Sequence, residues 1–291
     1  MKPFTPADWI AALAVSLLWG GNVVAVKAAT LSLPPFLLTG MRFALVALVL
    51  APIFRPKPEQ LKAILSLAVV LGIGHFGLLF AAINGMDSAS AGIAVQLATP
   101  FSALVAWLAY REVLGWARLV GMSVAFAGVV VLAGEPHVTS PIPLLLMTAS
   151  TLCWAVSNVM IKRIGTVEPL AINGWVALFS FPMLLTISAL TETDHWARIQ
   201  ATDTAGWLGL AYTTIGSTLI AYTLWYKLVA RHSLNRVVPF TLLGPAVGLF
   251  GGILLLGEPL TWQKLLGCGL TVLGVAVIQL WPSRHKPLES S

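Results

Sequence analysis

Apolar positions gather into ten long runs, at roughly 9–29, 35–54, 61–85, 89–110, 116–133, 142–161, 170–190, 206–229, 236–256 and 263–281. About 20 apolar residues cross the hydrocarbon of a bilayer as a helix, so the pattern predicts an all-α membrane protein with ten transmembrane helices. The polar breaks carry helix-ending chemistry at Pro34-Pro35, Pro56-Lys57-Pro58, Gly134-Glu135-Pro136, Glu168-Pro169, Glu258-Pro259 and Pro282. The fifth run is the shortest, and only a tight turn separates the ninth from the tenth. At the N-terminus, Lys2 and the apolar residues after it imitate a signal peptide. The run continues to Ala29 without a small-residue cleavage site, which predicts an uncleaved first span.

One stretch is written twice. Glu112 to Leu132, EVLGWARLVGMSVAFAGVVVL, returns without a gap as Glu258 to Ile278, EPLTWQKLLGCGLTVLGVAVI. Trp116 matches Trp262, Gly121 matches Gly267, Gly128 matches Gly274 and Arg118 matches Lys264. Such self-similarity is read before other signals because it sets the architecture. The start of each half agrees: Trp19, Asn22 and Lys27 in the first run parallel Trp154, Asn158 and Lys162 in the sixth. Five helices per copy is an odd number, so the copies face opposite ways across the membrane. The expected organisation is one integral membrane domain of two inverted five-helix repeats, 1–137 and 138–291; the odd count excludes a parallel duplication.

Composition agrees with immersion in lipid: 58% of residues are hydrophobic and 10% charged, where a soluble domain carries roughly 25% charged residues. The net charge of +6 does not point to nucleic acid, because the basic residues stand singly beside apolar runs rather than on one polar face. With ten spans, thirteen Lys and Arg fall on the side of the termini and four on the other. That bias predicts cytoplasmic N- and C-termini and puts Glu112 and Glu258 on opposite sides. Cys153 and Cys268 lie inside apolar runs, outside any metal-binding or redox spacing, and no metal or cofactor is expected.

Polar residues within a span are costly and each invites a function. Trp19 and Asn22 share a face of the first helix, and Trp154 and Asn158 a face of the sixth. His75 falls in mid-third helix, Gln96 and Thr99 stand one turn apart on the fourth, and Ser217, Thr218, Tyr222 and Trp225 climb the eighth. Trp19, Asn22, His75, Gln96, Thr99, Trp154, Asn158 and Tyr222 are the candidate substrate-binding residues. They offer amide and hydroxyl groups beside aromatic walls, suited to a small solute with a polar head and an apolar body. Interhelical hydrogen bonding and packing are the competing roles. Pro100 and Pro245 lie within the fourth helix of each half and deprive the carbonyls of Gln96 and Thr241 of their donors. Such a break either exposes backbone to a site or makes a kink satisfied by hydroxyls or water.

Other motifs point to architecture. Gly72-Ile-Gly74-His-Phe-Gly77 fits GxGxxG but follows no strand, and reads as close helix packing, like the stripe Gly244, Gly248, Gly252. Trp9, Trp116, Trp207, Trp262 and Trp281 read as interfacial anchors. None of the eleven acidic residues falls in mid-span, which weighs against proton-coupled export of cations. Lys27, Arg42, Lys162 and Lys227 read as lying nearer span ends and snorkelling, which weighs against phosphorylated substrates. No nucleophile and base pair suggests an enzyme.

At Leu18-Trp-Gly-Gly-Asn-Val-Val-Ala-Val-Lys27, at Pro100 leading to Arg111-Glu112, and at Pro245 leading to Gly257-Glu258-Pro259, the chain resembles the EamA-type permeases of the drug/metabolite transporter superfamily. Within it the resemblance is to YddG-type exporters of amino acids and metabolites. The resemblance implies a five-plus-five inverted bundle in the bacterial inner membrane. It also implies a central cavity lined mainly by helices one, three, four, six, eight and nine. The expected function is a monomeric secondary transporter, in the lipid bilayer, exporting amino acids or similar small metabolites by alternating access. The alternatives are a multidrug exporter of lipophilic cations and a membrane sensor or lipid-handling protein that moves no solute. His75 is the one central candidate for proton coupling.

Overall fold

The computed structural model describes residues 4–110, 115–135, 140–232 and 234–280. Glu112 and Trp281, with the other residues outside these ranges, are not described. The chain is helical nearly throughout, and its strong apolar runs become helices because a backbone in hydrocarbon must satisfy its own hydrogen bonds. We number the long helical runs α1 (Pro6–Thr30), α2 (Pro35–Leu50), α3 (Pro58–Asn84), α4 (Ser88–Tyr110), α5 (Trp116–Ala133), α6 (Ile142–Ile164), α7 (Pro169–Thr191), α8 (204–231), α9 (Pro239–Leu256) and α10 (Trp262–Leu280). A short helix, His195–Ala201, bridges α7 and α8. By length and hydropathy eight of the runs are able to cross a membrane, and α2 is a shorter apolar helix.

The termini of the helices follow from local chemistry. Thr5 and Asp8 form a capping box at the start of α1, with Pro6 in the first turn, where its missing N–H costs nothing. Asp87 caps α4 through the N–H of Ser90. At the α9–α10 turn, Gly257 takes a left-handed φ of 67° and donates its N–H to Gly252, a conformation that glycine adopts without penalty. The second run ends at Leu50, four residues short of the pattern's limit, so α2 with its 16 residues is shorter than the 18-residue α5. Pro56 and Pro58 lie just beyond and disfavour helix in the residues before them.

Four helical runs depart from α geometry. The third contains a π-helical segment, Ala68–Gly77, and the eighth another, Tyr212–Ile220. The fourth passes through a 3-10 turn, Val95–Leu97, just before Pro100, and the ninth is preceded and entered by a 3-10 segment, Val238–Leu243, just before Pro245. Both prolines thus follow a locally overwound stretch whose tighter turn corrects the expectation of an orphaned carbonyl: the Gln96 carbonyl accepts from the Ala98 amide and the Thr241 carbonyl from the Gly244 amide.

Packing repeats between the halves. α1 lies against α8 and α9, as α6 lies against α3 and α4; α2 pairs with α7, α4 with α9 and α5 with α10. Glycines set the closest approaches. A Cβ at Gly274 would fall within 2.5 Å of the Gly121 carbonyl and the Ala125 amide, and one at Gly128 within 2.8 Å of the Gly267 carbonyl. Position 121 therefore sits beside 274 and 128 beside 267, so α5 and α10 run antiparallel with their backbones in contact. Gly72 is as tight, its missing Cβ occupied by Ser180 of α7, and Gly248 faces Gly92. The glycines of the GxGxxG and of the α9 stripe are packing surfaces in this bundle. Trp9, Trp116, Trp207 and Trp262 stand exposed on its outer surface.

Replacing Gly274 by Leu should separate α5 from α10, because backbone rather than a yielding side chain blocks the new Cβ. Overpacking of this kind costs about 1–3 kcal/mol. The expected result is a lower thermal unfolding midpoint in detergent for Gly274→Leu, with little change for Gly269→Leu, whose Cβ would meet nothing within 4 Å.

Candidate functional site

Two contiguous cavities open among the helices. The smaller, about 280 Å³, is lined by residues of α1 to α4, α6, α8 and α9 together with the 3-10 segment. The larger, about 740 Å³, shares Trp19, Arg42, Phe76, Thr99, Trp154 and Tyr222 with it and extends to Gly165, Val167 and Pro169 at the α6–α7 turn. Trp19, Asn22, His75, Gln96, Thr99, Trp154 and Tyr222 lie on the smaller cavity's wall, and Asn158 on the larger. Pro245 also lines the smaller cavity, whereas Pro100 is buried beside it and lines neither. The two helix amides differ in setting: Asn22 is 9% exposed, whereas Asn158 is exposed in the larger cavity. Asn22 follows its tryptophan by three residues and Asn158 by four, so each shares a face with its tryptophan but on opposite flanks of it, and the two amides are not exact equivalents.

The aromatic walls are mutually braced. Trp19 meets Tyr222 edge-on with centroids 5.2 Å apart and lies 5.2 Å from Trp225, while its indole N–H donates to the Ser217 carbonyl at 3.2 Å. Trp154 lies 4.9 Å from the ring of His75. His75 Nδ1 stands 3.1 Å from the Ser150 carbonyl, and the Ser150 hydroxyl donates to the His75 carbonyl at 2.9 Å. A carbonyl only accepts, so Nδ1 carries the proton and a neutral ring keeps Nε2 as its acceptor. The Phe240 carbonyl in the 3-10 segment is taken by the Ser16 hydroxyl at 2.7 Å.

Arg42 corrects the reading of it as a snorkelling cation. It is 1% exposed and lines both cavities. Its Nε and Nη2 donate to the Thr218 hydroxyl at 3.2 and 2.7 Å, and that hydroxyl donates onward to the Thr213 carbonyl at 2.9 Å. The guanidinium carbon lies 4.7 Å from the ring centre of Phe76 and 5.3 Å from that of Phe80. These contacts hold the charge by hydrogen bonding and cation–π attraction, the latter worth about 0.5–2 kcal/mol each. Arg42 is the eighth residue of a 16-residue helix, about 10 Å from either end at 1.5 Å per residue. That depth is the signal in the sequence that sets it apart from Lys162 and Lys227, which are exposed.

Neither cavity is lined by a described residue of the turns α1–α2, α3–α4, α5–α6, α7–α8 or α9–α10. Polar ties close that side. The Glu258 carboxylate accepts from the Ser88 and Ala89 amides at 2.6 and 3.0 Å and from the Ser88 hydroxyl at 3.0 Å, where the positive end of the α4 dipole favours an anion. Lys264, fully buried, lies 3.1 Å from Asp87 and 3.6 Å from Glu135 and donates to the Pro259 carbonyl at 2.9 Å. Glu192 accepts from the amides of Phe36 and Leu37 at 2.8 and 3.0 Å. The opposite side, at the α6–α7 turn, is where the larger cavity arrives.

A bundle of long apolar helices around an aromatic, hydrogen-bonding cavity has the build of a multi-pass membrane transporter. The chain belongs to the EamA-like transporter family, whose profile matches it twice, over residues 8–134 and 141–280. A protein of Salmonella typhimurium described as a probable amino-acid metabolite efflux pump is 32% identical over 282 residues, covering 93% of this chain and 94% of that one. An Escherichia coli protein of the same description is 31% identical over 285 residues, covering 93% and 94%. A Chlamydia trachomatis protein described as an S-adenosylmethionine/S-adenosylhomocysteine transporter is 26% identical, covering 90% and 86%. A solved crystal structure at 22% identity shares the fold with a TM-score of 0.62, covering 94% of this chain and 96% of that one.

Glu258→Gln replaces one accepting oxygen by an NH₂ group facing donors, and should weaken the α4 cap by about 1–3 kcal/mol. In the variant, a cysteine placed at Asn22 should react faster with a membrane-impermeant thiol reagent applied from the Glu258 side. An unchanged labelling rate would remove Glu258 from the closure.

Proposed function

We propose that the protein is a secondary carrier in the bacterial inner membrane that exports amino acids or similar small metabolites by alternating access. The observation that carries this reading is the continuous cavity, walled by Trp19, Trp154 and Tyr222, that reaches one end of the bundle and stops short of the other. The names of the Salmonella and Escherichia relatives support export and the substrate class. On this reading ten spans form two inverted repeats, 1–137 and 138–291, and one half rocks against the other around the cavity. The antiparallel contact of α5 and α10 supports it. Gly121 meets Gly274, the counterpart of Gly128, and Gly128 meets Gly267, the counterpart of Gly121. A reciprocal exchange of equivalent positions is what a two-fold axis produces.

Both termini are cytoplasmic in this proposal, so the cavity faces the cytoplasm and the Glu258 side is sealed toward the exterior. The carrier works as a monomer, because the cavity is built within one chain. Export of lipophilic cations fits less well: among the described lining residues there is no carboxylate, while the guanidinium of Arg42 is present. His75 is the titratable imidazole on the cavity wall and the candidate for any coupling to protons.

Counterflow of a radiolabelled mixture of amino acids into proteoliposomes loaded with unlabelled ones should be saturable. Absence of exchange across amino acids, lipophilic cations and other metabolites would favour the sensor or lipid-handling alternative. Efflux should respond weakly to a pH gradient and lose that response in His75→Ala; strong pH-driven efflux retained in that variant refutes the coupling role. Cysteines placed at positions 112 and 258 should react with impermeant reagents from opposite sides of the membrane. Labelling of both from one compartment would defeat the inverted arrangement.

A further inference from the structure

The cavity wall carries two buried polar atoms of opposite character that the protein leaves unused. Thr218 engages Nε and Nη2 of Arg42, while Nη1 has no hydrogen-bond partner. Phe76 and Phe80 lie near the guanidinium, at 4.7 and 5.3 Å from ring centre to guanidinium carbon, and help fix its orientation. The edge formed by Nη1 and Nη2 is the one a carboxylate engages with two parallel hydrogen bonds. On the same smaller cavity, Asn22 Oδ1 is a buried acceptor without a partner.

A buried donor on a cation and a buried acceptor on an amide are each costly when left unpaired. Arg42 and Asn22 are 1% and 9% exposed, on different helices, and both contribute to the wall of the same space of about 280 Å³, with Nη1 and Oδ1 buried in that wall. A solute with an anionic and a cationic end would satisfy both at once.

We propose, resting on the carrier reading above, that the smaller cavity is a recognition site for zwitterionic α-amino acids. Arg42 receives the carboxylate through its Nη1 edge, and Asn22 Oδ1 accepts from the ammonium group. The side chain of the substrate extends into the larger cavity between Trp154 and Tyr222, whose rings line both spaces. Thr218 is a positioning residue: by holding Nε and Nη2 it aims the remaining edge of the guanidinium. A free α-carboxylate is then required for transport, and the aromatic walls accept side chains of varied size.

The test uses the purified full chain in proteoliposomes loaded with the twenty common L-amino acids unlabelled, with a radiolabelled mixture of the same amino acids supplied outside. The strongest competitor of counterflow is compared with its carboxamide, which keeps the ammonium, and with its deaminated acid, which keeps the carboxylate. In the wild type, removing either charge should weaken competition at least about tenfold, the scale of a lost charge-assisted hydrogen bond. In Arg42→Gln the preference for amino acid over carboxamide should vanish, and in Arg42→Lys, which keeps the charge but not the fork, part of it should remain. Asn22→Ala should abolish the preference for amino acid over deaminated acid while leaving that over carboxamide. Arg42→Gln protein that unfolds in detergent does not spare the proposal, because the wild-type comparison stands without it. Equal competition by amino acid and carboxamide in the wild type overturns the site while leaving the carrier intact. Lack of counterflow by any amino acid, together with exchange of other solutes, overturns the site and its substrate class. Lack of exchange by every solute overturns the carrier reading as well.

Discussion

A polypeptide in hydrocarbon has no water to complete its backbone hydrogen bonds, so each departure from the α-helix needs protein or a wet cavity beside it. Apart from the 3-10 turn Pro58–Gln60 that opens α3, the described residues hold four such departures, at Ala68–Gly77, Val95–Leu97, Tyr212–Ile220 and Val238–Leu243. All of them contribute residues to the cavities: His75, Gln96, Ser217 and Thr241 respectively. The carbonyls and hydroxyls loosened by irregular geometry are drawn into a local network, as when Thr218 bonds the Thr213 carbonyl five residues back and receives Arg42 in turn. The site is thus made from the parts of the helices that lipid could not tolerate at its own boundary.

The charged residues divide by the same rule. Lys264 and Glu135 are buried, with the partly exposed Asp87 beside Lys264, and Glu258 is bound to two amides at the start of α4. Losing one member of such a group leaves its neighbour uncompensated, which is why these ties resist opening. Arg42 differs, since its partners are a neutral hydroxyl and aromatic faces. Among the described residues no carboxylate is paired with it, so its charge is held by hydrogen bonding and ring contacts alone.

Much of the helical framework was legible because apolar length and proline or glycine punctuation act locally. The polar candidates on α1, α3, α4, α6 and α8 lie on the cavity walls because a hydrogen-bonding group within an apolar run has few other places to go. Arg42 was misread because its environment is assembled from distant chain segments. Phe76, Phe80 and Thr218 lie on α3 and α8, and nothing near position 42 announces them. The π-helical segments were hidden for a related reason. Gly72 and Gly74 allow Ser180 and Cys153 to press against α3, and that pressure comes from other helices. The burial of Lys264 at a helix start likewise depends on Asp87 and Glu135, each more than a hundred residues away.

The glycine seam between α5 and α10 also has a consequence for biosynthesis. The two helices begin at Trp116 and Trp262, and a ribosome adding roughly 5–20 residues per second makes the second many seconds after the first. Throughout that interval the notched face of α5 must rest against lipid tails or a borrowed neighbour. The nascent first half is then a sticky intermediate, open to pairing with another copy of itself until its own sequel emerges.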